Sequence, residues 1–200
     1  HGFADLIVCA FQATPAINAA AGTCYVYSGN DGTLLYQFNG DQAYGSFAWS
    51  VSDAGDINDD GFDDVLVGAM ARDIGSLVLV GSAFVYSGAD GAFLLRLDGE
   101  EEYDQFGYSV SGAGDVDLDG HADVIIGARN ADPTGGYENG AAYVYSGKTG
   151  TILHKWIGES DMDDFGASVS GAGDFNADGF SDLIVGATYA PAGTHTTGGS

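Results

Sequence analysis

Short apolar runs, divided by polar and small residues, are the main feature of this chain. Residues 106–158 contain four of them: FGYSVSG, in which polar and apolar residues alternate, the short apolar run ADVIIGA, and then AAYVYSG and TILHKWIG. Glycine, aspartate and asparagine separate the runs, as they commonly do between strands. No window keeps the 3.6-residue apolar period of a helix, so the pattern predicts an all-β chain.

The four runs return at a fixed spacing of 59 residues. Residues 55–69, GDINDDGFDDVLVGA, recur as GDVDLDGHADVIIGA at 114–128 and as GDFNADGFSDLIVGA at 173–187. A tandem repeat of four antiparallel strands is typical of the blades of a β-propeller. A flat β-solenoid is the alternative, but its repeats are usually much shorter. We therefore predict a β-propeller of four-stranded antiparallel blades.

The repeat boundaries divide the chain into two complete blades and two incomplete ones. Residues 1–38 hold the last three strands of a blade, 47–97 and 106–156 hold complete blades, and 165–200 hold the first two strands of another blade and a loop. This is a partial arc of about three and a third blades, whereas closed propellers usually have about 4–8. Because an open arc leaves strand edges unpaired, we expect the chain to be part of a longer protein.

Each full copy of the 55–69 segment contains an acidic loop with the pattern D-x-[DN]-x-D-G-x-x-D. Calcium takes about 6–8 oxygen ligands, and oxygens at alternate positions of a curled loop can converge on one ion. The glycine permits the sharp turn, and the seventh residue would offer its main-chain carbonyl. The predicted ligands are Asp56, Asn58, Asp60, Phe62 (main chain) and Asp64; Asp115, Asp117, Asp119, His121 (main chain) and Asp123; and Asp174, Asn176, Asp178, Phe180 (main chain) and Asp182.

The twelfth position separates these loops from those of calcium sensors. A helix-loop-helix sensor needs a glutamate there, whereas this chain has Val67, Ile126 and Val185. The aspartate at the ninth position must therefore complete the set of ligands. The chain continues from the loop into a strand, whereas a sensor loop continues into a helix. An acidic turn without metal is the alternative, and magnesium fits less well because it prefers small octahedral sites. We predict three structural Ca²⁺ sites that hold the first strand of a blade to the second.

The net charge narrows the choice of partners. The chain has 29 Asp and Glu but only 5 Lys and Arg, a formal net charge of −24. Nucleic acid and anionic membrane surfaces would be repelled, whereas metal cations would be attracted. No apolar run approaches the roughly 18 residues of a membrane span, so we expect no membrane insertion in this segment.

Two cysteines, Cys9 and Cys24, end one predicted strand and begin the next. If Ile7 lies opposite Val26 in a hairpin, the two thiols face each other. A disulfide and a pair of buried thiols are both compatible with this register. A disulfide would fit an oxidising, secreted setting.

The sequence offers no catalytic constellation. Ser111 and Ser170 stand where the nucleophile-elbow pattern needs its second glycine, and the calcium loops account for many of the acidic residues. A calcium-stabilised module that binds protein is therefore favoured. A carbohydrate-binding propeller and a non-catalytic module of a secreted enzyme are the alternatives. Trp49 and Trp156 occupy different positions in the repeat, so they form no repeated sugar pocket.

On these residues the chain resembles FG-GAP repeats. Phe106-Gly107 and Phe165-Gly166 precede the acidic loops, and Gly-Ala pairs follow them at 68–69, 127–128 and 186–187. Such repeats build the seven-bladed propeller head of integrin α subunits and are found in secreted bacterial proteins. The resemblance departs at Phe47-Ala48, at Cys9, and at Met70, Arg129 and Thr188, which replace the proline of the motif.

The resemblance implies a function as well as a fold. It implies that calcium in the loops is structural, and that the propeller serves cell adhesion or protein–protein interaction. It also implies an extracellular or cell-surface location, with a protein or extracellular-matrix ligand.

Overall fold

A computed structural model describes residues 4–15, 19–132 and 138–190, and these residues form strands, turns and loops without any helix. The strands are β1 (Leu6–Ala10), β2 (Thr23–Tyr27), β3 (Leu34–Asn39), β4 (Phe47–Gly55), β5 (Asp64–Ala69), β6 (Ser82–Tyr86), β7 (Phe93–Asp98), β8 (Phe106–Gly114), β9 (Asp123–Ala128), β10 (Ala141–Tyr145), β11 (Ile152–Ile157), β12 (Phe165–Gly173) and β13 (Asp182–Ala187). The prediction of an all-β chain is confirmed.

The strands form four antiparallel sheets in chain order. Blade 1 is β1-β2-β3, blade 2 is β4-β5-β6-β7, blade 3 is β8-β9-β10-β11 and blade 4 is β12-β13. Within each sheet, every strand pairs with the next strand along the chain, so each sheet is an up-and-down meander. The sheets follow one another in an open arc, which confirms a partial β-propeller.

The first strands of blades 2, 3 and 4 pack side by side. The Ser50 hydroxyl donates a hydrogen bond to the carbonyl oxygen of Gly107 over 2.8 Å, and Ser109 donates to Gly166 over 2.7 Å. At Gly127 an added Cβ would lie 1.9 Å from that same Gly166 oxygen. Glycine is therefore required there because the backbone of the next blade passes directly over the strand.

The second strands of the complete blades form the centre of the core. All six residues of β5 and all six of β9 are buried, because a neighbouring blade covers each face of the sheet. Leu66 and Ile125 are fully buried, whereas Ile184 in β13 is 60% exposed. The apolar second run predicts this burial, and β13 is less buried because a described blade covers only one face of its sheet.

None of the described residues lies in a helix that could cross a membrane.

Candidate metal centre

The three acidic loops connect the first strand of a blade to the second. Residues 56–64 follow β4 and enter β5, 115–123 follow β8 and enter β9, and 174–182 follow β12 and enter β13. The first aspartate of each loop thus comes directly after the inner strand, and the ninth residue is the first of the next strand. This places every predicted ligand at one end of its blade.

The first aspartate curls the loop around its own carboxylate. One oxygen of Asp56 accepts a hydrogen bond from the backbone N–H of Asp60 (3.1 Å), and the other accepts one from Gly61 (2.8 Å). Gly61 has a φ of 87°, a conformation that glycine adopts without strain. The other two loops have the same two hydrogen bonds, each of 3.0 Å. Asp115 accepts from the N–H groups of Asp119 and Gly120, and Asp174 accepts from those of Asp178 and Gly179.

The third and fifth side chains bend back into the loop in the same way. In the first loop, Asn58 Oδ1 accepts from the Asp60 N–H at 3.1 Å, and Asp60 Oδ1 accepts from the Phe62 N–H at 3.0 Å. The Phe62 side chain itself is about half exposed. The corresponding acceptors are Asp117 and Asp119 in the second loop and Asn176 and Asp178 in the third, whose Phe180 side chain is also about half exposed.

The ninth aspartate is the most buried residue of the first loop and of the second. Asp64 is 1% exposed and Asp123 is 0% exposed. The Asp123 carboxylate accepts from the Val116 N–H at 2.7 Å and from the Gly147 N–H at 3.1 Å. Gly147 belongs to the turn between β10 and β11, so one side chain joins the loop, the second strand and the outer hairpin of blade 3.

This arrangement recurs in the other repeats to different extents. Asp64 accepts from Ile57 (2.9 Å) and from Gly88 (3.0 Å). In blade 1, Asp5 accepts the corresponding hairpin contact from the Gly29 N–H at 2.9 Å. In the third loop Asp182 accepts two N–H groups of its own loop instead, from Phe175 and Asn176.

Burial raises the pKa of the Asp64 and Asp123 carboxyls above the ordinary value for aspartate. Their backbone hydrogen bonds lower the pKa, and the other carboxylates of each loop raise it again. Several negative groups therefore repel one another in a small, partly dehydrated volume. A divalent cation in the loop would remove that repulsion.

The second loop brings its carboxylates closest together. One oxygen each from Asp115, Asp117 and Asp123 lie within 4.8 Å of one another, a spacing that fits ligands of a single cation. In the first loop the third position is Asn58, whose amide Nδ2 donates to Asp60 at 2.9 Å. Asn176 makes the same contact with Asp178 in the third loop. Among the predicted ligand side chains, the second loop therefore carries one more negative charge than the first or the third.

Two contacts near the loops do not follow from the sequence pattern. The Ala122 N–H donates to the carbonyl oxygen of Asp56 at 3.0 Å, and His121 Nδ1 lies 2.8 Å from the carbonyl oxygen of Ile57. These contacts join the first loop to the second across the boundary between blades. Only the curvature of the arc brings them together, and no local sequence signal could have identified them.

A lysine also lies beside the second loop. Lys148 Nζ is 3.7 Å from Asp119 Oδ2 and donates to the Asp119 carbonyl oxygen at 3.4 Å. The lysine side chain is 48% exposed, so it offsets only part of the loop's negative charge.

Cys9 and Cys24 are joined by a disulfide between β1 and β2. They face each other in the register in which Ile7 lies opposite Val26. The corresponding pairs in blades 2 and 3, Gly68 with Ala83 and Gly127 with Ala142, lie in the same register.

Comparisons with known proteins agree with the repeat structure. Residues 106–145 and 165–200 match the FG-GAP repeat family. Integrin alpha-5 of Xenopus laevis is 38% identical over 189 residues and integrin alpha-V of Gallus gallus is 34% identical over 188, each match covering 86% of this chain. The chain spans only 18% of the length of each relative.

Among solved structures, a rhamnogalacturonan lyase PL11 of Bacillus licheniformis aligns with a TM-score of 0.49 at 17% identity, over 84% of this chain and 34% of that one. The two stretches that match the family begin one repeat period apart, at residues 106 and 165. The chain is an integrin α-like FG-GAP repeat protein.

Proposed function

We propose that the chain is an extracellular adhesion or protein-interaction module whose blades are stabilised by structural calcium. The observation that carries the proposal is the convergence of Asp115, Asp117 and Asp123 within 4.8 Å in a loop that the chain repeats. Hard oxygen donors without sulfur or imidazole favour calcium over zinc or copper. His121 fits this view because its ring contacts the neighbouring loop, which leaves only its carbonyl for the ion.

The ligands in this proposal are the oxygens at positions one, three, five, seven and nine of each loop. Position nine also holds the outer hairpin in blades 2 and 3, so an ion there would fix the position of three strands together. If each site has a Kd of about 0.1 mM and calcium is present at about 1–2 mM, binding stabilises the fold by about 1.5–2 kcal/mol per site. Three sites give roughly 5 kcal/mol, which is comparable with the whole stability of many domains.

Two neighbouring aspartates of the first loop allow a matched test of this proposal. Asp60→Asn weakens a proposed ligand, whereas Asp59→Asn removes the same charge from a residue that the pattern does not use. Asp59 has a φ of 59°, which asparagine also tolerates. Calcium binding is measured by titration calorimetry, and the melting temperature is measured in calcium and in chelator.

We expect Asp60→Asn to remove one binding event and to reduce the stabilisation by calcium, while Asp59→Asn leaves both unchanged. Coincident melting curves of the unchanged protein in calcium and in chelator would rule out structural calcium.

We further propose that the chain itself is not an enzyme. The hydroxyls of Ser111 and Ser170 donate to the carbonyl oxygens of Gly112 and Gly171, the residues that follow them, so they are held within their own strands.

The disulfide supports an oxidising extracellular setting. Binding to purified extracellular-matrix proteins, measured with the chain immobilised in calcium and then in chelator, tests the adhesion role. Calcium-dependent binding is the expected result, and no binding to any matrix protein would count against it.

A further inference from the structure

A cleft of about 640 Å³ lies at the outer part of the interface between blades 1 and 2. Its apolar surface includes Phe84 and Tyr86 of β6 and Phe93 of β7. Its polar surface includes Asn39 at the end of β3 and Arg96 in β7. The lining residues lie between positions 39 and 96, so both walls are complete within the described part of the chain. The volume falls within the range of about 300–1,000 Å³ typical of ligand sites.

The repeat supplies a second cleft for comparison, between blades 2 and 3. There Tyr143 occupies the position of Phe84, Lys155 that of Arg96, and Glu100 that of Asp41. The Tyr143 hydroxyl donates to Glu100 at 3.1 Å, and Lys155 bonds the same carboxylate oxygen. Lys155 Nζ also lies 5.0 Å from the centre of the Tyr143 ring. These three side chains bridge the two walls of the second cleft, and Tyr143 is 1% exposed.

The first cleft has different contacts. Phe84 has no hydroxyl to bridge the walls, and Asp41 bonds the guanidinium of Arg72 instead. Arg72 Cζ lies 5.4 Å from the centre of the Phe84 ring, and Phe84 is only 6% exposed. Arg96 pairs with Asp98 on its own strand at 3.1 Å. The accessible aromatic surface of the first cleft is therefore mainly that of Phe93, which is 58% exposed, beside the partly buried Tyr86.

The pairing of these charges indicates the chemistry of the ligand. Both charged groups at the cleft already have a partner of opposite sign, so a ligand need not be charged. A purely apolar ligand would cover the Asn39 amide, the Tyr86 hydroxyl and Arg96 without offering them hydrogen bonds, which is unfavourable. A ligand that has both apolar faces and hydroxyl groups can pack against the aromatic rings and also form hydrogen bonds with the polar groups.

We propose that the cleft between blades 1 and 2 binds a neutral saccharide of about disaccharide size. The apolar face of a sugar ring would lie against the aromatic side chains, and its hydroxyls would meet Asn39, Tyr86 and Arg96. The site is built from phenylalanine and tyrosine, and the second cleft has Ile152 at the position of Phe93. The positions of the tryptophans in the sequence therefore give no sign of it. The proposal does not depend on calcium in the loops or on a protein ligand.

The test uses saturation-transfer NMR and calorimetry on the full chain, with lactose, maltose and cellobiose as probes. N-acetyl-phenylalaninamide represents an apolar peptide side chain. We expect at least one disaccharide to bind with a Kd on the order of 1 mM. Phe93→Ala should weaken this binding by about 5- to 10-fold, because it removes one aromatic contact. Ile152→Ala changes the corresponding exposed position of the second cleft and should leave the binding unchanged.

A second variant closes the site instead of removing a contact. Phe84→Tyr, Asp41→Glu, Arg72→Ala and Arg96→Lys together give this interface the residues of the second cleft, Tyr143, Glu100, Ala131 and Lys155, and should abolish disaccharide binding. Phe93 is exposed, so its alanine variant keeps the test valid even if the combined variant does not fold. The proposal is overturned if no disaccharide binds, if Phe93→Ala and Ile152→Ala have equal effects, or if only the phenylalanine amide binds.

Discussion

Asp123→Asn tests whether the ninth loop residue stabilises the blade independently of calcium. The carboxylate is fully buried and accepts two backbone N–H groups, from Val116 at 2.7 Å and from Gly147 at 3.1 Å. Asparagine has one acceptor oxygen, so its NH₂ group must face one of these donors. The substitution therefore leaves a buried N–H without an acceptor and weakens the connection between the loop and the outer hairpin.

The magnitude follows from these two hydrogen bonds. A hydrogen bond to a charged group contributes about 1.5–3 kcal/mol, and an unsatisfied buried donor costs about 1–3 kcal/mol. Burial raises the pKa of Asp123, so the neutral amide recovers part of this loss. We expect a net loss of about 3 kcal/mol. For a chain of this size that corresponds to a fall in melting temperature of roughly 6–12 °C.

Asp182→Asn is the matched control. Asp182 occupies the same loop position, but both its backbone partners, Phe175 and Asn176, belong to its own loop. We expect this variant to lose about 1 kcal/mol or less in chelator, because the side chain is partly exposed and holds no outer hairpin.

Thermal unfolding followed by circular dichroism in chelator separates this role from metal binding. In calcium both variants weaken a proposed ligand, so only the difference measured in chelator reports the contact with the hairpin. If the two variants melt at the same temperature in chelator, Asp123 does not act through its backbone hydrogen bonds and the reasoning is refuted.

Four further predictions concern the packing of the blades and the titration of a tyrosine. Gly127→Ala should lower the free energy of unfolding, measured by chemical denaturation, by about 3 kcal/mol or more, because its Cβ would lie 1.9 Å from a backbone oxygen. In Gly186→Ala the nearest atom is the Ser168 hydroxyl, so the loss should be about 1 kcal/mol. Equal losses in the two variants would contradict this. Ala48→Gly should stabilise the protein by about 1 kcal/mol, because Ala48 has a φ of 72°, and a lower melting temperature would refute it. Reducing the blade 1 disulfide, whose cysteines are 15 residues apart, should cost about 3 kcal/mol in urea unfolding; an unchanged midpoint would show that it adds no stability. Burial raises the pKa of Tyr86 to about 12 from 10.0, so its contribution to stability should be complete below pH 10 and lost as the pH rises towards 12. Ultraviolet titration that finds every tyrosine ionising near pH 10 in the folded protein would contradict this last prediction.

The sequence determined the features that depend on local patterns. The period of 59 residues and the four runs in each period predicted the meander of each blade, because residue alternation and turn residues act over a few neighbours. The acidic loop was equally local: Asp56, Gly61 and Asp64 lie within nine residues, and Val67 at the twelfth position distinguished it from a sensor loop. The cysteine register also followed from the hairpin that the repeat defines.

Other features required the tertiary structure, because they depend on residues that are distant in the chain. The contact of His121 with Ile57 exists only because the arc places one loop against the next. The difference between the two clefts is a further example. Phe84 and Tyr143 differ by one hydroxyl. The effect of that hydroxyl depends on a carboxylate that lies 43 residues earlier in the chain. In one interface Glu100 bonds Tyr143. In the other, Asp41 pairs with Arg72, whose guanidinium lies over the Phe84 ring. Packing between blades, not the local sequence, decides which charges meet.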